Sequence, residues 1–272
     1  MASVVPPDPT YSPHLPTELI QRGVISESSL ENIIYAGQAH ERSLPNGSRM
    51  GYFIGDGTGV GKGRQIAGII MDNWNQGRKR ALWVSKSGDL LNDAKRDFSD
   101  IGFDVKRVLD LSLKQGAAME AKPDGVGFIT YTSLAKGHPG LEPASLAPGE
   151  TPRLIKKGAA EKVSRIERLY DWLGADFDGV IAFDEAHLAG NAIDVPGKRG
   201  PKKASERGKA VVDVQKLFPK ARIVYVSATG ATDVTNLSYA DRLGIWGHGT
   251  PFPDKQSFFD AIRAGGLSAM EI

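Results

Sequence analysis

A glycine-rich segment with one lysine stands between an apolar run and a helical pattern. Its sequence is Asp56-Gly57-Thr58-Gly59-Val60-Gly61-Lys62-Gly63, and Arg64 follows it directly. A loop of this kind turns its backbone N–H groups toward phosphate oxygens, while the helix N-terminus and the Lys62 ammonium add positive potential. Glycine clusters also form plain tight turns, but the surrounding strand-loop-helix pattern favours a cradle for a nucleoside triphosphate. The dinucleotide pattern Gly-x-Gly-x-x-Gly is met in no register of this segment, which disfavours a nicotinamide enzyme.

Two adjacent carboxylates, Asp184 and Glu185, follow the apolar run at residues 180–183. Such a run predicts a buried strand, and open α/β sheets bind ligands at the carboxyl ends of their strands. We expect Asp184 to face Mg²⁺ and Glu185 to orient and deprotonate an attacking water. Paired acids at a strand end are more often a solvated turn or a helix cap. The upstream loop and His187 favour the catalytic alternative, with Lys62, Asp184, Glu185 and His187 as the catalytic set.

One position departs from the usual phosphate-binding loop. The residue after Lys62 is Gly63, where the usual loop has a serine or threonine whose hydroxyl binds Mg²⁺. We hypothesise that Mg²⁺ is held by nucleotide phosphates, water and Asp184, because this ion keeps several of its waters. A Gly63→Ser substitution would show whether the missing hydroxyl matters.

A third polar group follows another apolar run, at Ser227-Ala228-Thr229. Alone it is a turn with hydroxyls, and its value comes from its order after the acidic pair. We expect His187 to link the state of the nucleotide to Ser227 and Thr229. No second histidine or cysteine at metal-binding spacing supports a ligand role for His187.

Further polar residues are candidates for contacts with a base or with nucleic acid. Gln38, on a predicted helix before the loop, could contact adenine through its amide, although such a glutamine is usually only solvated. Hydroxyls and a cation near the ends of two predicted strands could hold a nucleic-acid backbone or could simply cap helices. These residues are Lys86, Ser87, Thr130 and Thr132.

A basic segment at residues 196–209 has almost no apolar side chain. It could contact phosphates, and binding would then weaken steeply with salt. A charge run is more often a solvated loop, and we expect this one to be mobile. Its candidate contact residues are Lys198, Arg199, Lys202 and Lys203.

The elements that would position these groups alternate along the chain. Short β-rich runs alternating with helical patterns predict a mostly parallel sheet with helices on both faces, the layout of a RecA-like lobe. Predicted strands lie at residues 51–54, 81–84, 105–109, 126–131, 180–183 and 223–226. Predicted helices lie at residues 26–41, 61–75, 89–100, 159–173 and 209–218. Five prolines within residues 1–20 predict an extended linker or strap, so we expect a lead-in at residues 1–24 and one α/β domain at residues 25–272.

Bulk composition is compatible with that single domain. A chain of 272 residues, 40% hydrophobic and 24% charged, can bury a full core. The chain has 34 lysine and arginine residues and 32 acidic residues, so its net charge alone does not indicate nucleic-acid binding. The absence of cysteine excludes disulfides and thiolate zinc sites. With neither a signal-peptide pattern nor a long apolar stretch, the chain is expected to be cytoplasmic and without a membrane partner.

Five segments carry a resemblance to a known family: residues 35–40, 54–70, 176–187, 225–232 and 242–247. In these segments the chain resembles the strawberry-notch-like branch of superfamily 2 helicases. The resemblance runs from about residue 15 to residue 272, and the family shares the glycine at position 63. It implies a P-loop ATPase lobe with ATP and Mg²⁺ as cofactors and nucleic acid, DNA more than RNA, as partner.

The resemblance also implies parts that this sequence does not show. Such helicases use two RecA-like lobes with ATP between them, and the second lobe supplies arginines that stabilise charge on the γ-phosphate. We therefore expect this chain to be the first lobe of a longer protein, as a fragment or a truncated form, from a bacterial, phage or plasmid context. An isolated lobe would bind ATP yet hydrolyse it very slowly.

Two other functions remain open on the sequence. One is a P-loop ATPase that remodels protein, against which the order of Ser227 and Thr229 after the acidic pair favours a helicase or translocase. The other is a nucleotide-gated nucleic-acid or protein binding module without productive hydrolysis.

Overall fold

The computed structural model describes residues 7–57, 59–112, 123–138, 140–142, 151–155, 163–194, 203–228 and 237–265. In these ranges the strands are β1 (Tyr52–Ile54), β2 (Arg80–Ser85), β3 (Val108–Asp110), β4 (Gly125–Thr130), β5 (Val180–Asp184) and β6 (Arg222–Val226). The α-helices are α1 (Thr17–Gln21), α2 (Glu27–His40), α3 (Lys62–Asn75), α4 (Leu90–Asp100), α5 (Tyr131–Ala135), α6 (Arg165–Leu173), α7 (Glu206–Leu217) and α8 (Lys255–Gly265). Short 3₁₀ helices lie at Val105–Arg107 and Ala186–Ala189.

The six strands form one parallel sheet in the order β1-β6-β5-β2-β4-β3. Val226 of β6 pairs with Ile54 on one side and with Asp184 on the other, and Ser85 of β2 pairs with Thr130 of β4. Because every strand runs the same way, the carboxyl ends of these strands meet at one edge. The predicted α/β fold with a parallel sheet is confirmed.

Both faces of the sheet are covered. Alternating residues of β5 enter different cores: Val180 and Ala182 pack with α2, α3 and α4, while Ile181 and Phe183 pack with α5, α6 and α7. This alternation is the period of two expected of a strand whose two faces are both buried.

Side-chain caps decide where several helices begin. Ser164 and Glu167 form a capping box at the start of α6, so this helix begins later than the predicted residue 159; residues 156–162 lie outside the described part of the chain. Ser205 caps α7 by accepting a hydrogen bond from the Gly208 amide. Residues 206–209 are therefore the first turn of a helix, and the expectation of a mobile loop is wrong for them. The predicted strand at residues 105–109 is a 3₁₀ turn followed by β3.

The proline-rich lead-in is fastened to the domain. Residues 7–16, called the strap here, contain no helix or strand, and α1 follows them where an extended lead-in was predicted. The Tyr11 hydroxyl donates to Asp72 Oδ2 over 2.7 Å, and the His14 amide donates to Asp72 Oδ1 over 2.6 Å. Asp72 is buried in α3, so the strap is held by a carboxylate that water does not reach.

The part of the chain after β6 was not assigned elements from the sequence. Within residues 237–265, α8 packs Phe258 and Phe259 around Trp246. The buried Arg242 donates to the carbonyl oxygens of Phe218, Pro219 and Arg49, which ties this segment to the end of α7. None of the helices in the described ranges is both long and apolar enough to cross a membrane.

Candidate functional site

The loop between β1 and α3 has the backbone that its glycines predict. Gly59 and Gly61 have φ values of 86° and 82°, in the left-handed region where a side chain is strained. Gly61 is the N-cap of α3, so the helix begins at Lys62. An added Cβ would meet no atom within 4 Å at Gly57 or Gly59. The loop therefore has open space beside its backbone, which is what a phosphate cradle requires.

The Lys62 side chain folds back over this loop. Its ammonium donates to the carbonyl oxygen of Gly57 over 2.8 Å and to that of Asp56 over 3.3 Å. The charge is therefore concentrated at the loop and at the amino end of α3, where an anion is favoured by the helix dipole as well.

A polar network that the sequence analysis missed holds the start of the loop. Asp56 Oδ2 accepts hydrogen bonds from Asn32 Nδ2 at 2.9 Å and from Gln65 Nε2 at 2.7 Å. Tyr52 donates to Asn32 Oδ1 over 2.9 Å. Asp56 is thus a structural residue that joins α2, β1 and α3. The only signal in the sequence was an amide on each of the helices that flank the loop.

Gly63 is tightly surrounded, in contrast to the glycines before it. A Cβ at this position would lie 2.1 Å from Asp97 Oδ2 and 3.8 Å from Trp83 Cη2. Asp97 projects from α4, and its other oxygen lies 3.7 Å from Arg64 Nε. Burial raises the pKa of Asp97, and Arg64 and Arg96 counteract this. A side chain at position 63 would therefore have to displace the Asp97 carboxylate, whereas one at Gly57 or Gly59 would meet no neighbour.

The acidic pair lies at the end of β5, as predicted. Asp184 Oδ2 accepts a hydrogen bond from Ser85 Oγ over 2.9 Å, and the Tyr131 hydroxyl donates to the Asp184 carbonyl over 2.9 Å. Burial raises the pKa of Asp184; the Ser85 hydrogen bond lowers it and the Glu185 charge raises it further. A cation close to Asp184 would stabilise its ionised form. Ser85 and Tyr131 were not predicted as parts of this site.

Glu185 has a strained backbone. Its φ of 51° and ψ of 48° place a residue with a side chain in the left-handed region, which costs roughly 1–2 kcal/mol. The turn redirects the chain from β5 into the 3₁₀ helix that carries His187. Strain of this kind is concentrated at functional sites.

His187 joins the acidic pair to the end of β6. Its Nδ1 lies 3.0 Å from Ser227 Oγ and 3.4 Å from Glu185 Oε2. The Ser227 amide also donates to the Ile54 carbonyl at the end of β1, over 3.1 Å. Three of the predicted groups are therefore in one chain of contacts.

A groove of about 540 Å³ begins beside Asp56 and is lined by Tyr35, Gln38, Tyr52 and Phe53 among others. Gln38 uses its amide on the strap: Oε1 accepts from the Thr10 amide over 2.9 Å, and Nε2 donates to the Asp8 carbonyl over 3.3 Å. In this arrangement Gln38 lines the groove and its amide binds the strap. The adenine contact predicted for Gln38 would need that same amide.

The candidates for nucleic-acid contact are dispersed. Lys86 and Thr132 are exposed near the ends of β2 and β4, and Ser87 is half-buried. The Thr130 hydroxyl accepts from the Ser133 amide over 3.1 Å and caps α5, which is the capping alternative. Lys203 is exposed just before α7. Five other predicted residues lie outside the described part of the chain: Thr58, Lys198, Arg199, Lys202 and Thr229.

Two solved structures, an ATPase core and a helicase, contain the fold of this chain. The Sulfolobus solfataricus SWI2/SNF2 ATPase core in complex with dsDNA matches 91% of this chain and 41% of that chain, with a TM-score of 0.59 and 14% identity. The DUF1998 helicase MrfA bound to DNA and AMPPNP matches 85% of this chain and 29% of that chain, with a TM-score of 0.50 and 13% identity. At these identities the likeness concerns the fold, which is a RecA-like P-loop lobe.

A family model described as P-loop containing NTP hydrolase pore-1 matches residues 1–272, and this chain belongs to that family. Protein strawberry notch homolog 1 of Gallus gallus is 45% identical over 277 residues, covering 100% of this chain and 21% of that protein. Protein FORGETTER 1 of Arabidopsis thaliana is 39% identical over 276 residues, covering 100% of this chain and 19% of that protein. The resemblance to a strawberry-notch-like helicase lobe is confirmed.

The relatives also correct one expectation. The chain spans about a fifth of the length of these curated proteins. They come from animals and a plant, including Homo sapiens, Caenorhabditis elegans and Drosophila melanogaster. The expected cytoplasmic setting in a bacterial, phage or plasmid context is therefore wrong.

Proposed function

We propose that this chain is the ATP-binding motor lobe of a helicase or translocase, which hydrolyses ATP with Mg²⁺ when a second RecA-like lobe completes the site. The observation that carries the proposal is the meeting, at one sheet edge, of the glycine loop, the acidic pair and the contact between His187 and Ser227. A phosphate cradle, carboxylates and a polar link between neighbouring strands are the parts that phosphoryl transfer coupled to movement requires.

The donors present suit Mg²⁺. The buried carboxylate of Asp184 is a hard oxygen ligand, and the open backbone at Gly57 and Gly59 leaves room for phosphates. No group of three His, Cys, Asp or Glu side chains suited to a metal occurs among the described residues, so phosphate oxygens and water would supply most ligands of the ion. When bound, Mg²⁺ would neutralise charge that develops on the phosphates.

The remaining roles follow from position. Lys62 and the first backbone amides of α3 hold the β- and γ-phosphates. Arg64 lies in the same first turn of α3, next to this phosphate site. Glu185, directly after Asp184, orients the attacking water and accepts its proton. The groove beside Asp56 takes the base of the nucleotide, and the rings of Tyr35, Tyr52 and Phe53 form part of its walls.

Nucleic acid is the proposed partner: it would stimulate ATP hydrolysis, and the lobe would act on it as part of a helicase or translocase. Support comes from the two neighbours described above, which were solved with DNA, and DNA is therefore favoured over RNA. Lys86 and Thr132, exposed near the same sheet edge, are the described residues proposed to contact the backbone, with Lys203 and the basic residues before it as a second contact.

Calorimetry of Mg·ATP and ADP with the purified chain tests the nucleotide site. We expect saturable binding that weakens at least about tenfold in Lys62→Ala, since a hydrogen bond to a charged group contributes about 1.5–3 kcal/mol. Lys220→Ala is the matched control. Lys220 lies just before β6, at the amino ends of the strands and away from the proposed site, and it pairs with Asp176. Equal loss in both variants, or no binding by the unchanged chain, would contradict the proposed site.

Hydrolysis is tested with this chain joined to a second RecA-like lobe, called the two-lobe protein here. We expect DNA-stimulated turnover in the two-lobe protein, and we expect Glu185→Gln to abolish it while nucleotide binding persists. Binding without any turnover in the two-lobe protein would instead indicate a nucleotide-gated binding module.

A further inference from the structure

Beside the first turn of α3, a carboxylate from α4 stands where the usual loop presents a hydroxyl. Asp97 Oδ2 lies 2.1 Å from the position that a Cβ of residue 63 would occupy. A serine side chain at residue 63 would begin at that point and carry its oxygen one bond further. The Asp97 oxygen therefore fills the space in which the missing hydroxyl residue would stand.

Asp97 is held in place by its own surroundings. It lies in the last turns of α4, where Phe98 is fully buried against the same core as α3. Only 17% of the Asp97 side chain is exposed. Its Oδ1 faces Arg64 Nε at 3.7 Å, while the Arg64 guanidinium bonds mainly to Asp100. Among the described residues no hydrogen bond is donated to Asp97 Oδ2, and this oxygen faces Gly63 in the first turn of α3.

We propose that Asp97 replaces the P-loop hydroxyl and supplies, through Oδ2, a protein oxygen that, in addition to Asp184, faces the magnesium ion of a bound nucleotide beside Gly63. The inference rests on the proposed nucleotide site and deepens it. A carboxylate suits this place because Mg²⁺ prefers hard oxygen ligands and is commonly held by one or two carboxylates together with phosphate oxygens. Gly63 then has a reason: any side chain there would displace the ligand.

A purely structural role would give Asp97 a different task. If its ion pair with Arg64 only fixed α4 against α3, removing the charge would lower the stability of the fold and leave the effect of Mg²⁺ on nucleotide affinity unchanged. The two roles are therefore separated by comparing affinities with and without the metal.

The first experiment measures ATP affinity by calorimetry in Mg²⁺ and in EDTA, with melting temperature as a check of the fold. Asp97→Asn keeps the shape of the side chain and removes its charge. Asp93→Asn is the matched control, because Asp93 lies on the same helix and forms an exposed pair with Arg96. We expect the gain in affinity caused by Mg²⁺ to fall about tenfold in Asp97→Asn and to persist in Asp93→Asn. An unchanged magnesium effect in Asp97→Asn overturns the inference.

The second experiment replaces the Asp97 carboxylate oxygen with a serine hydroxyl at position 63. Gly63→Ser alone would place its Cβ where Asp97 Oδ2 lies and displace that carboxylate, so we expect a weaker effect of Mg²⁺ on ATP affinity. Asp97→Ala removes the obstruction, and Gly63→Ser with Asp97→Ala restores the usual hydroxyl at a site with room for it. We expect this double variant to recover much of the magnesium effect that Asp97→Ala loses. A double variant no better than Asp97→Ala would contradict a shared place for the two oxygens.

These outcomes separate the inference from the proposed function. If the unchanged chain binds Mg·ATP and Lys62→Ala does not, the nucleotide site stands whatever Asp97 does. If neither chain binds Mg·ATP, the proposed nucleotide site is refuted, and so is the proposed role of Asp97 as a magnesium ligand.

Discussion

His187 Nδ1 lies 3.0 Å from Ser227 Oγ and so bridges the ends of two neighbouring strands, β5 and β6. The same imidazole nitrogen is 3.4 Å from Glu185 Oε2. A shift of Glu185 toward water and phosphate would therefore change the partner of His187, and Ser227 would be the first residue on β6 to respond. The contact is a physical route by which the nucleotide site and a more distant surface can influence one another.

Removing the Ser227 hydroxyl should uncouple the two ligands without removing either site. We expect Ser227→Ala to bind Mg·ATP within about twofold of the unchanged chain, because the phosphate loop is untouched. In the two-lobe protein, coupling between DNA and ATP should be at least about fivefold in affinity, and Ser227→Ala should abolish most of it. Calorimetry of ATP with and without single-stranded DNA measures both quantities.

Ser99→Ala is the control for this substitution, since Ser99 is exposed on α4. Coupling that persists in Ser227→Ala would show that the contact with His187 is only structural.

The left-handed backbone of Glu185 predicts a conflict between stability and activity. Asn tolerates this conformation better than Glu or Gln. Both Glu185→Gln and Glu185→Asn should stop hydrolysis in the two-lobe protein, because both remove the carboxylate. Only Glu185→Asn should relieve strain, and we expect it to be more stable than Glu185→Gln by about 1 kcal/mol in denaturant unfolding. Equal stability of the two variants would show that the turn carries little strain.

The strap is predicted to depend on a glycine of α2. A Cβ at Gly37 would lie 2.2 Å from the Tyr11 ring, so Gly37→Ala should displace the strap and speed amide hydrogen exchange in residues 7–16. Because Tyr11 causes the clash, adding Gly37→Ala to Tyr11→Ala should have little further effect, a non-additivity that a double-mutant cycle detects. Gly88→Ala is the control, since a Cβ there meets no atom within 4 Å. Additive effects would contradict the contact.

The sheet was predictable because its strands are continuous apolar runs. Residues 180–183 and 223–226 are buried on both faces, so their pattern survives in any context, and the residues after them had to meet at one edge. Helix starts were less certain: Ser205 and Ser164 are visible as caps, yet their neighbours include charged residues that also suit a loop.

The parts that were missed depend on contacts between distant segments. No local pattern shows that Asp97 of α4 reaches Gly63 of α3 or that Asn32 and Gln65 converge on Asp56. Gln38 was expected at a base because of its residue type, and only the docked strap shows what its amide binds. Such relationships arise from packing and are invisible to spacing along the chain.

The buried His40 predicts a specific dependence of stability on pH. Burial lowers the pKa of His40 to about 3, with the nearby arginines adding to the effect, and its Nε2 lies 3.1 Å from the Ile223 carbonyl. The folded chain therefore keeps His40 neutral while the unfolded chain binds a proton below a pH of about 6.5. Above that pH neither state is protonated and the titration of His40 has no effect on stability; as the pH falls from about 6.5 toward 3, the free energy of unfolding decreases by up to about 1.4 kcal/mol per pH unit. Denaturant unfolding at pH 7 and pH 5 should show a smaller loss in His40→Gln, whose amide can donate to the same carbonyl but does not titrate. Equal losses in both chains would mean that His40 can accept a proton without unfolding.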